Sequence, residues 1–310
     1  MDNVEELKAR ARLKAAIRSF FAQKDYLEVD TPIAVPTPGT EVHLRYFATA
    51  WVDHSGKPHP LYLRSSPELH MKKLLAFGAD RIFQLAPCFR NWGETSDWHR
   101  PEFTMLEWYE KGLSFTALID QTESLIRYCN EIMGGQLKLP AQIERISVAE
   151  AFERWVGIQL IDHDKDLAAK GIACGAISLR DDDDFETAFF KLLLERVEPG
   201  LSELGAAILY DYPESQAALA TVRDGVAKRF EIYIGRVELC NGFEELLDAD
   251  ANASRIRESH RRRSELGYEV PAEDESFYAA LRKGIPPCSG NALGFDRLLA
   301  LLHGRDKLLR

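Results

Sequence analysis

The chain has 310 residues, of which 45% are hydrophobic and 28% are charged, a composition typical of a globular protein with a sizeable core. No apolar run approaches the about 20 residues that cross a bilayer, which excludes a membrane-spanning helix. The formal net charge of −10 argues against a protein whose main task is to grip a nucleic acid, because phosphate binding depends on basic side chains.

The N-terminus and the cysteines indicate a cytoplasmic protein. The first residues are acidic and lead directly into an amphipathic pattern, so we expect no signal peptide. The five cysteines are scattered along the chain and never form a Cys-x-x-Cys pair. This predicts a reducing compartment, with neither a disulfide framework nor a zinc site.

Predicted helices and strands follow one another without a regular repeat. Helical spacing of apolar residues runs from residue 3 to about 24, and residues 26–32 are typical of a short strand ended by a proline. A second amphipathic helix is predicted at 115–133, and a mostly helical stretch at about 147–200. The other predicted strands are 62–64, 81–89, 102–110, 206–209, 229–238 and 290–295.

No regular βαβ unit and no glycine-rich phosphate loop occurs, so we predict an α+β fold, with an antiparallel sheet surrounded by helices. The acidic run at 181–184 precedes an apolar helical pattern. It is therefore interpreted as a solvated loop or a helix N-terminus and not as a metal site. The basic residues between 255 and 263 predict a solvated helix face, with a docking face for an acidic protein as the alternative.

The predicted strand 102–110 is the first of three segments with candidate chemistry. Side chains alternate across a strand, so Phe103, Met105, Glu107 and Tyr109 share one face. This face fits the floor of a site for a ligand with a flat ring and a cation. A half-buried strand with polar residues at its edge explains the pattern equally well.

The second segment covers residues 229–246. Asn241-Gly242 fits a hairpin turn, whereas the functional interpretation puts Glu238, Asn241 and Glu245 at one site. Strict alternation places Glu238 on the opposite face from the other two. A β-bulge at Gly242 or its neighbours would reconcile the pattern with a common site.

The third segment, residues 289–299, is a small-residue strand that leads into an apolar helix. Gly290, Ala292 and Gly294 permit close approach of a ligand to the backbone. Arg297 is suited to stacking on a purine or pairing with a phosphate. The alternative is a tightly packed junction between strand and helix.

In this order, the three segments resemble motifs 2 and 3 of the class II aminoacyl-tRNA synthetases, and residues 26–32 with the preceding helix resemble motif 1. The lysine branch is the most similar, through Ser66-Pro67-Glu68 and residues 103–109, 213–217 and 238–246. Ser66 and Ala292 also match the short paralogues that attach lysine or (R)-β-lysine to elongation factor P.

The resemblance implies one catalytic domain over residues 1–310, with a mostly helical insertion at about 147–200. It implies a homodimer formed through residues 3–32, with ATP and Mg²⁺ as cofactors. Because the motif 1 helix begins at residue 3, we expect no anticodon-binding domain, and tRNA is an improbable partner.

The resemblance also implies roles for individual residues. Arg90, Glu238 and Arg297 would be catalytic, with Arg90 on the α-phosphate and Phe103 and Arg297 around the adenine. Magnesium would be held by Glu238 and Glu245. The implied ATP contacts are Arg90, Asn91, Glu94, His99, Arg100, Phe103, Glu238, Leu239, Gly294 and Arg297. The implied amino acid contacts are Ser66, Pro67, Glu68, Glu107, Tyr109, Asn241, Glu245 and Ala292.

Two departures from the family pattern fall in motif 2. Trp92 stands where the family has an acidic residue, and Glu94 is the candidate replacement. An arginine usual before the histidine is missing, and Arg100 is the candidate substitute for its charge.

Three functions follow from the resemblance. The first is activation of lysine or (R)-β-lysine with ATP and its transfer to a lysine side chain of elongation factor P. The second is a stand-alone enzyme that charges tRNA or another small acceptor, and the third is an inactive regulatory paralogue. The sequence leaves open which lysine isomer is preferred.

Overall fold

The computed structural model describes residues 4–91 and 96–308. Its helices are α1 (Val4–Ala22), α2 (Glu68–Ala76), α3 (Phe115–Met133), α4 (Val148–Ala151), α5 (Leu167–Ala173), α6 (Phe185–Leu192), α7 (Glu198–Glu203), α8 (Ala249–Glu265), α9 (Glu275–Arg282) and α10 (Phe295–Leu302). Short π-helical segments occur at Phe152–Val156 and Leu193–Val197, and a 3₁₀ turn at Glu214–Gln216.

The strands alternate irregularly with these helices. They are β1 (Leu27–Glu28), β2 (Ala34–Val35), β3 (Phe47–Val52), β4 (Pro58–Leu63), β5 (Arg81–Phe89), β6 (Glu102–Lys111), β7 (Glu144–Ser147), β8 (Ala206–Pro213), β9 (Val222–Arg223), β10 (Val226–Ile234), β11 (Val237–Glu244) and β12 (Cys288–Gly294). None of the helices in the described ranges is both long and apolar enough to cross a membrane.

The chain divides into two compact units, which we call the first unit (residues 1–137 and 244–310) and the second unit (residues 138–243). In the first unit the strand order is β1-β5-β6-β12, with β1 parallel to β5 and the other neighbours antiparallel. A separate antiparallel sheet has the order β2-β4-β3.

The core of the first unit forms where α1 meets the sheet. The apolar residues of α1 recur at helical spacing and form one buried stripe, which includes Phe21. The Phe21 ring stacks on Phe83 of β5 at 4.6 Å, and Trp108 of β6 lies beside it, completely buried. This packing holds the middle strand β6, which carries several of the predicted site residues.

In the second unit the strands follow the order β11-β10-β8-β7, with β9 beside β10. A buried apolar cluster covers this sheet, in which the rings of Phe152 and Phe189 stack at 5.2 Å. Residues 148–203 hold α4 to α7 and the two π-helical segments. Asp184 caps α6 by accepting the Thr187 N–H, so the acidic run at 181–184 includes a helix N-terminus as predicted.

The predicted α+β fold is confirmed, with two refinements. The sheet contains parallel pairs, β1 with β5 and β7 with β8, which the prediction of a wholly antiparallel sheet lacked. The single strand predicted at 229–238 is wrong, because β10 and β11 form a hairpin that turns at Gly235 and Arg236. Gly235 has φ +56, which suits a residue without a side chain.

Candidate active site

Two of the predicted acids in the first unit share one buried ammonium group. Glu68 begins α2, and Lys72 lies one turn later, with its Nζ 2.6 Å from Glu68 Oε1. The same Nζ lies 2.5 Å from Glu245 Oε2. Burial lowers the pKa of Lys72, but the carboxylates of Glu245 and Glu68 outweigh it and hold that pKa above its usual value. Lys72 therefore remains a cation, and sequence reasoning missed it.

A third acid, Glu107, has a different environment. Ser66 Oγ donates to Glu107 Oε2 at 2.9 Å, and the Tyr109 hydroxyl donates to Oε1 at 2.6 Å. Glu107 is 1% exposed, and this burial, followed by the nearby charge of Glu68, raises its pKa to about 8. At pH 7 the group is therefore mostly protonated, and it would ionise when a cation arrives.

Small residues bring the backbone of β12 close to these acids. A Cβ on Gly290 would lie 2.2 Å from the Tyr109 ring and 2.8 Å from Glu245 Oε1, so only glycine fits there. Ala292 is the partner of Glu107 in the pairing of β12 with β6. The structure thus brings Ser66, Glu68, Glu107, Tyr109 and Glu245 together.

Pro67 supports this arrangement through the backbone alone. It occupies the N-cap position of α2, and its neighbour Ser66 accepts the Glu68 N–H at 2.9 Å. Ser66 therefore links the two acids, because its hydroxyl accepts the Glu68 N–H and donates to the Glu107 carboxyl group. We call Glu68, Lys72, Glu107 and Glu245 the acid pocket.

Arg90 provides a cationic donor that the described residues leave unsatisfied. Its guanidinium lies 5.2 Å from the centre of the Phe103 ring. The Arg90 Nε is buried and makes no hydrogen bond to any residue in the described ranges. A buried donor without a partner is costly, and an anion such as a phosphate or carboxylate would satisfy it. This arrangement fits the predicted ATP contacts.

Arg297 and His99, both predicted to contact ATP, lie side by side. Arg297 Nη2 lies 3.0 Å from His99 Nε2, and Ser96 Oγ lies 2.6 Å from His99 Nδ1. A guanidinium can only donate, so Nε2 accepts and Nδ1 carries the proton that is donated to Ser96. Gly294 lies against the Arg297 side chain, which a Cβ would approach to 3.2 Å.

Asp296 anchors this region and was missed in the sequence. Its carboxylate accepts the Thr104 N–H at 2.6 Å and pairs with Arg10 of α1. Arg10 also donates to Thr104 Oγ1 at 2.5 Å. Asp296 thus fixes the start of α10, and with it Arg297, against β6.

Two other predicted ATP contacts in motif 2, Asn91 and Arg100, donate hydrogen bonds to backbone carbonyl groups. The backbone N–H of Asn91 donates to Arg45 O, and the Arg100 guanidinium donates to His99 O at 2.8 Å. Glu94 and Trp92 lie outside the described residues.

In the second unit, the alternative of a hairpin turn at Asn241-Gly242 does not hold, because Asn241 pairs with Glu231 inside β11. The register shifts between Ile232 and Tyr233, where Cys240 and Glu238 are the partners, so Leu239 is an extra residue. This bulge turns Glu238 and Asn241 to the same face. A bulge was predicted near Gly242, and it lies three residues earlier. Leu239 is buried, so only its backbone is available to a ligand.

A magnesium site is not preformed by side chains alone. Within residues 4–91 and 96–308, no group of three or more His, Cys, Asp or Glu side chains is arranged to hold a metal. Magnesium needs only one or two carboxylates when phosphate oxygens supply the remaining ligands. Glu245 already has the Lys72 ammonium as a partner, whereas Glu238 lies in a different unit.

Comparison with known proteins identifies one matching family and several similar proteins. The family model for tRNA synthetases class II (D, K and N) matches residues 2–309. A Vibrio cholerae protein named elongation factor P–(R)-beta-lysine ligase is 37% identical over 313 residues, covering 99% of this chain and 94% of the relative. Proteins with the same name from Hamiltonella defensa and Pectobacterium atrosepticum are 37% and 38% identical over 98% and 99% of this chain, and 93% of each relative is covered.

Proposed function

Because the chain belongs to the class II tRNA synthetases (D, K and N), we propose that it is an ATP-dependent ligase that attaches lysine or (R)-β-lysine to elongation factor P. The acceptor would be a lysine side chain of that factor, as the name of the relatives indicates for them. The observation that carries the proposal is the acid pocket, in which the buried Lys72 ammonium contacts the carboxylates of Glu68 and Glu245, and Ser66 links Glu68 to the buried Glu107.

The charge of the acid pocket supports a substrate with an additional amine. Burial raises the pKa of Glu245 to about 7, and Lys72 opposes this shift; with Glu245 ionised and Glu107 protonated, Glu68, Glu245 and Lys72 together carry a charge of −1. An incoming ammonium balances this charge and favours ionisation of Glu107, which adds a further attractive carboxylate. A neutral side chain would leave the excess carboxylate charge unbalanced, so it would bind poorly.

The proposed reaction has two steps. A carboxylate oxygen of the amino acid attacks the α-phosphorus of ATP, and the bond to pyrophosphate breaks. An amine of the acceptor then attacks the carbonyl carbon, the bond to AMP breaks, and an amide forms with loss of a proton from the amine. Arg90 would neutralise charge on the α-phosphate and the carboxylate, a task suited to its unsatisfied donor.

Magnesium would add positive charge at the phosphates of ATP when bound. We assign Glu238 as its carboxylate ligand. We do not assign Glu245 as a magnesium ligand, because its carboxylate already contacts an ammonium group, that of Lys72.

The proposal is tested by mass spectrometry of intact elongation factor P. The factor is incubated with the protein, ATP and either lysine isomer, and we expect its mass to rise by one lysyl unit. The increment should require ATP and resist mild alkali, because an amide forms. Charged tRNA that is released by alkali, with elongation factor P unmodified, would favour the stand-alone aminoacylating enzyme instead.

An inactive regulatory paralogue is disfavoured by the arrangement of the predicted ATP residues. Among residues 4–91 and 96–308, the Arg90 Nε beside Phe103 has no hydrogen-bond acceptor, and Asp296 holds Arg297 in place. Amino-acid-dependent exchange of pyrophosphate into ATP separates this alternative, since an inactive paralogue would show none.

We further propose a homodimer and a cytoplasmic location. Val4 and Leu7 of α1 and Leu27 of β1 are more than half exposed, which supports an interface in the region of residues 3–32. A cytoplasmic location follows from the proposed acceptor, a translation factor. Sedimentation of the protein should give twice the mass of one chain, and Leu7→Glu should reduce it to one.

A further inference from the structure

Glu41 lies in the loop between β2 and β3, and its carboxylate rests against the segment that leads into α2. Its Oε2 accepts the Thr40 N–H at 3.0 Å and lies 3.3 Å from Ser65 Oγ. Ser65 is completely buried, and the next residue, Ser66, donates to Glu107. The half-buried carboxylate of Glu41 therefore contacts the residue that precedes the donor to Glu107.

Gly39 permits this contact. A Cβ at its position would lie 2.2 Å from Ser65 Oγ and 2.4 Å from Glu41 Oε2, so only glycine leaves room for both groups. Ser65 Oγ also lies 3.0 Å from Pro38 O, and its one proton serves two acceptors. Among residues 4–91 and 96–308, the donors to the Glu41 carboxylate are thus neutral groups, and no cation pairs with it. Such a carboxylate retains the capacity to accept an ammonium group.

Arg263 of α8 fixes the backbone of this loop. It is one of the basic residues predicted on a solvated helix face, but it is completely buried. Its Nη1 donates to Glu41 O at 2.7 Å, to Val42 O at 3.1 Å and to Leu44 O at 2.6 Å. The guanidinium also lies 4.4 Å from the centre of the Tyr46 ring. The loop, and with it Glu41, is therefore held by a planar group with several fixed donors.

The C-terminal end of the loop lies beside the predicted ATP contacts. The Asn91 N–H donates to Arg45 O at 3.0 Å, and these two residues form an isolated antiparallel bridge. Asn91 follows Arg90, which is the predicted contact of the α-phosphate. The loop therefore extends from Ser65, next to the acid pocket, to the residue that follows Arg90.

Cys88 of β5 has charged groups from both of these regions as neighbours. The pKa of its thiol is raised to about 12, first by burial and then by the negative charges of Glu107 and Glu41, against the opposing charges of Arg64 and Arg90. Interactions between charges weaken with distance, so the groups that act on one thiol lie in one region. Glu41 therefore belongs to the same part of the first unit as Glu107 and Arg90.

We infer that the Glu41 carboxylate is a further substrate contact, which binds the ammonium group nearest to the carboxyl group of the amino acid. The inference rests on the proposed function, in which Arg90 meets the substrate carboxylate and the acid pocket meets the distant ammonium. The near ammonium is attached to the α-carbon of lysine or the β-carbon of (R)-β-lysine, so it lies between these two groups. The loop that carries Glu41 spans this region.

The first test replaces Glu41 with glutamine and measures lysine-dependent pyrophosphate exchange. We expect the KM for lysine to rise about five- to fiftyfold, because an amide oxygen still accepts a hydrogen bond but no longer attracts the ammonium charge. The KM for ATP should change less than about threefold. The matched control is Asp53→Asn, because Asp53 also accepts backbone N–H groups of its own loop, in the turn between β3 and β4. Its KM for lysine should be native-like.

A second measurement distinguishes a substrate contact from support of the loop. 6-Aminohexanoic acid is either lysine isomer without its near amine, and we use it as a competitive inhibitor. Its inhibition constant should be the same for native protein and Glu41→Gln. A parallel rise in the KM for lysine and in this constant would mean that Glu41 only supports the loop, and it would overturn the inference.

The variant Glu41→Asp keeps the test decisive if Glu41→Gln does not fold. Aspartate keeps the charge but withdraws it by one methylene group, so the KM for lysine should rise while inhibition by 6-aminohexanoic acid is undiminished. Native-like KM values for lysine in both variants would overturn the inference alone. Native protein without lysine-dependent exchange would overturn the proposed function and this inference with it.

Discussion

The ammonium nitrogen of Lys72 lies 2.5 Å from a carboxylate oxygen of Glu245, and both side chains are buried. A buried lysine with one carboxylate would be electrically balanced. Here Glu68 adds a second carboxylate at 2.6 Å, so the cluster keeps an excess negative charge. This excess, beside the buried side chains of Lys72 and Glu245, is the physical basis that we propose for binding an ammonium group from a substrate.

Replacement of Lys72 by methionine should strongly destabilise the fold. The variant leaves the buried Glu245 and the partly buried Glu68 without their cation, and removal of one partner from a buried ion pair costs about 3–5 kcal/mol. Urea unfolding at pH 7 measures the loss. Lys8→Met is the control, because Lys8 pairs with Glu5 on the exposed surface and should change the free energy of unfolding by less than about 0.5 kcal/mol. A loss below about 1 kcal/mol for Lys72→Met would contradict the assignment.

Glu107 should make the stability depend on pH. Its pKa rises from 4.5 to about 8 on folding, so the folded state binds more protons between these values. The stability contributed by protonated Glu107 is therefore complete below pH 4.5 and lost as the pH rises through 8. Native protein should lose up to about 1.4 kcal/mol per pH unit in this window relative to Glu107→Gln.

The free energy of unfolding of both proteins is measured by urea titration from pH 5 to 8. Glu258→Gln is the control, because Arg261 lowers the pKa of this exposed glutamate, and the difference from native protein should be flat over the same window. A flat difference for Glu107→Gln as well would show that Glu107 is ionised throughout.

Gly290→Ala should damage both stability and binding of the amine. The new methyl group would lie 2.2 and 2.3 Å from two carbons of the Tyr109 ring, so the ring must move and with it the donor to Glu107. Overpacking of this kind costs about 1–3 kcal/mol. Thermal unfolding and calorimetric titration with lysine measure the two effects.

The matched control for this change is Gly294→Ala in the same strand. There the new methyl group meets only the Arg297 side chain, at 3.2 Å, and this chain is long enough to shift. Binding of lysine should be retained in this variant. Equal loss of lysine binding in both variants would show that Gly290 has no special role.

Asp296 and Arg10 should be energetically coupled. Asp296 also accepts the Thr104 N–H at 2.6 Å, so Asp296→Ala removes two contacts and should cost about 1–3 kcal/mol. A double-mutant cycle with Arg10→Ala should give an interaction energy of about 0.5–3 kcal/mol. Strict additivity would mean that the pair does not contribute to the stability of the motif 3 region. The rate of pyrophosphate exchange should also fall in Asp296→Ala, because Asp296 fixes the start of α10 and with it the next residue, Arg297.

The sequence predicted the strands of the first unit well, because alternation with a period of two is a strong local signal. Glu107 and Tyr109 were placed on one face for this reason, and the structure joins them by a hydrogen bond of 2.6 Å. The turn at Gly235-Arg236 was missed within the strand predicted at 229–238, because Asn241-Gly242 is the stronger local turn signal. The longer pairing with β10 overrides that local preference.

Buried charges were the part of the site that sequence could not predict. Lys72 lies on a helix among other basic residues, where a lysine is normally solvated. Its burial depends on Glu245, which is distant in the chain, and no local pattern reports such a contact. Asp296 was missed for the same reason, since its partners Thr104 and Arg10 come from another strand and another helix.

The most direct test of the central claim is pyrophosphate exchange with matched amino acids. Lysine and (R)-β-lysine carry a second ammonium group, whereas norleucine has a similar shape without it. We predict ATP-dependent exchange with at least one lysine isomer and a rate for norleucine lower by about 10⁴ or more, because norleucine would leave the excess carboxylate charge of the acid pocket unbalanced. Comparable exchange with norleucine, or no exchange with either lysine isomer, would contradict the account.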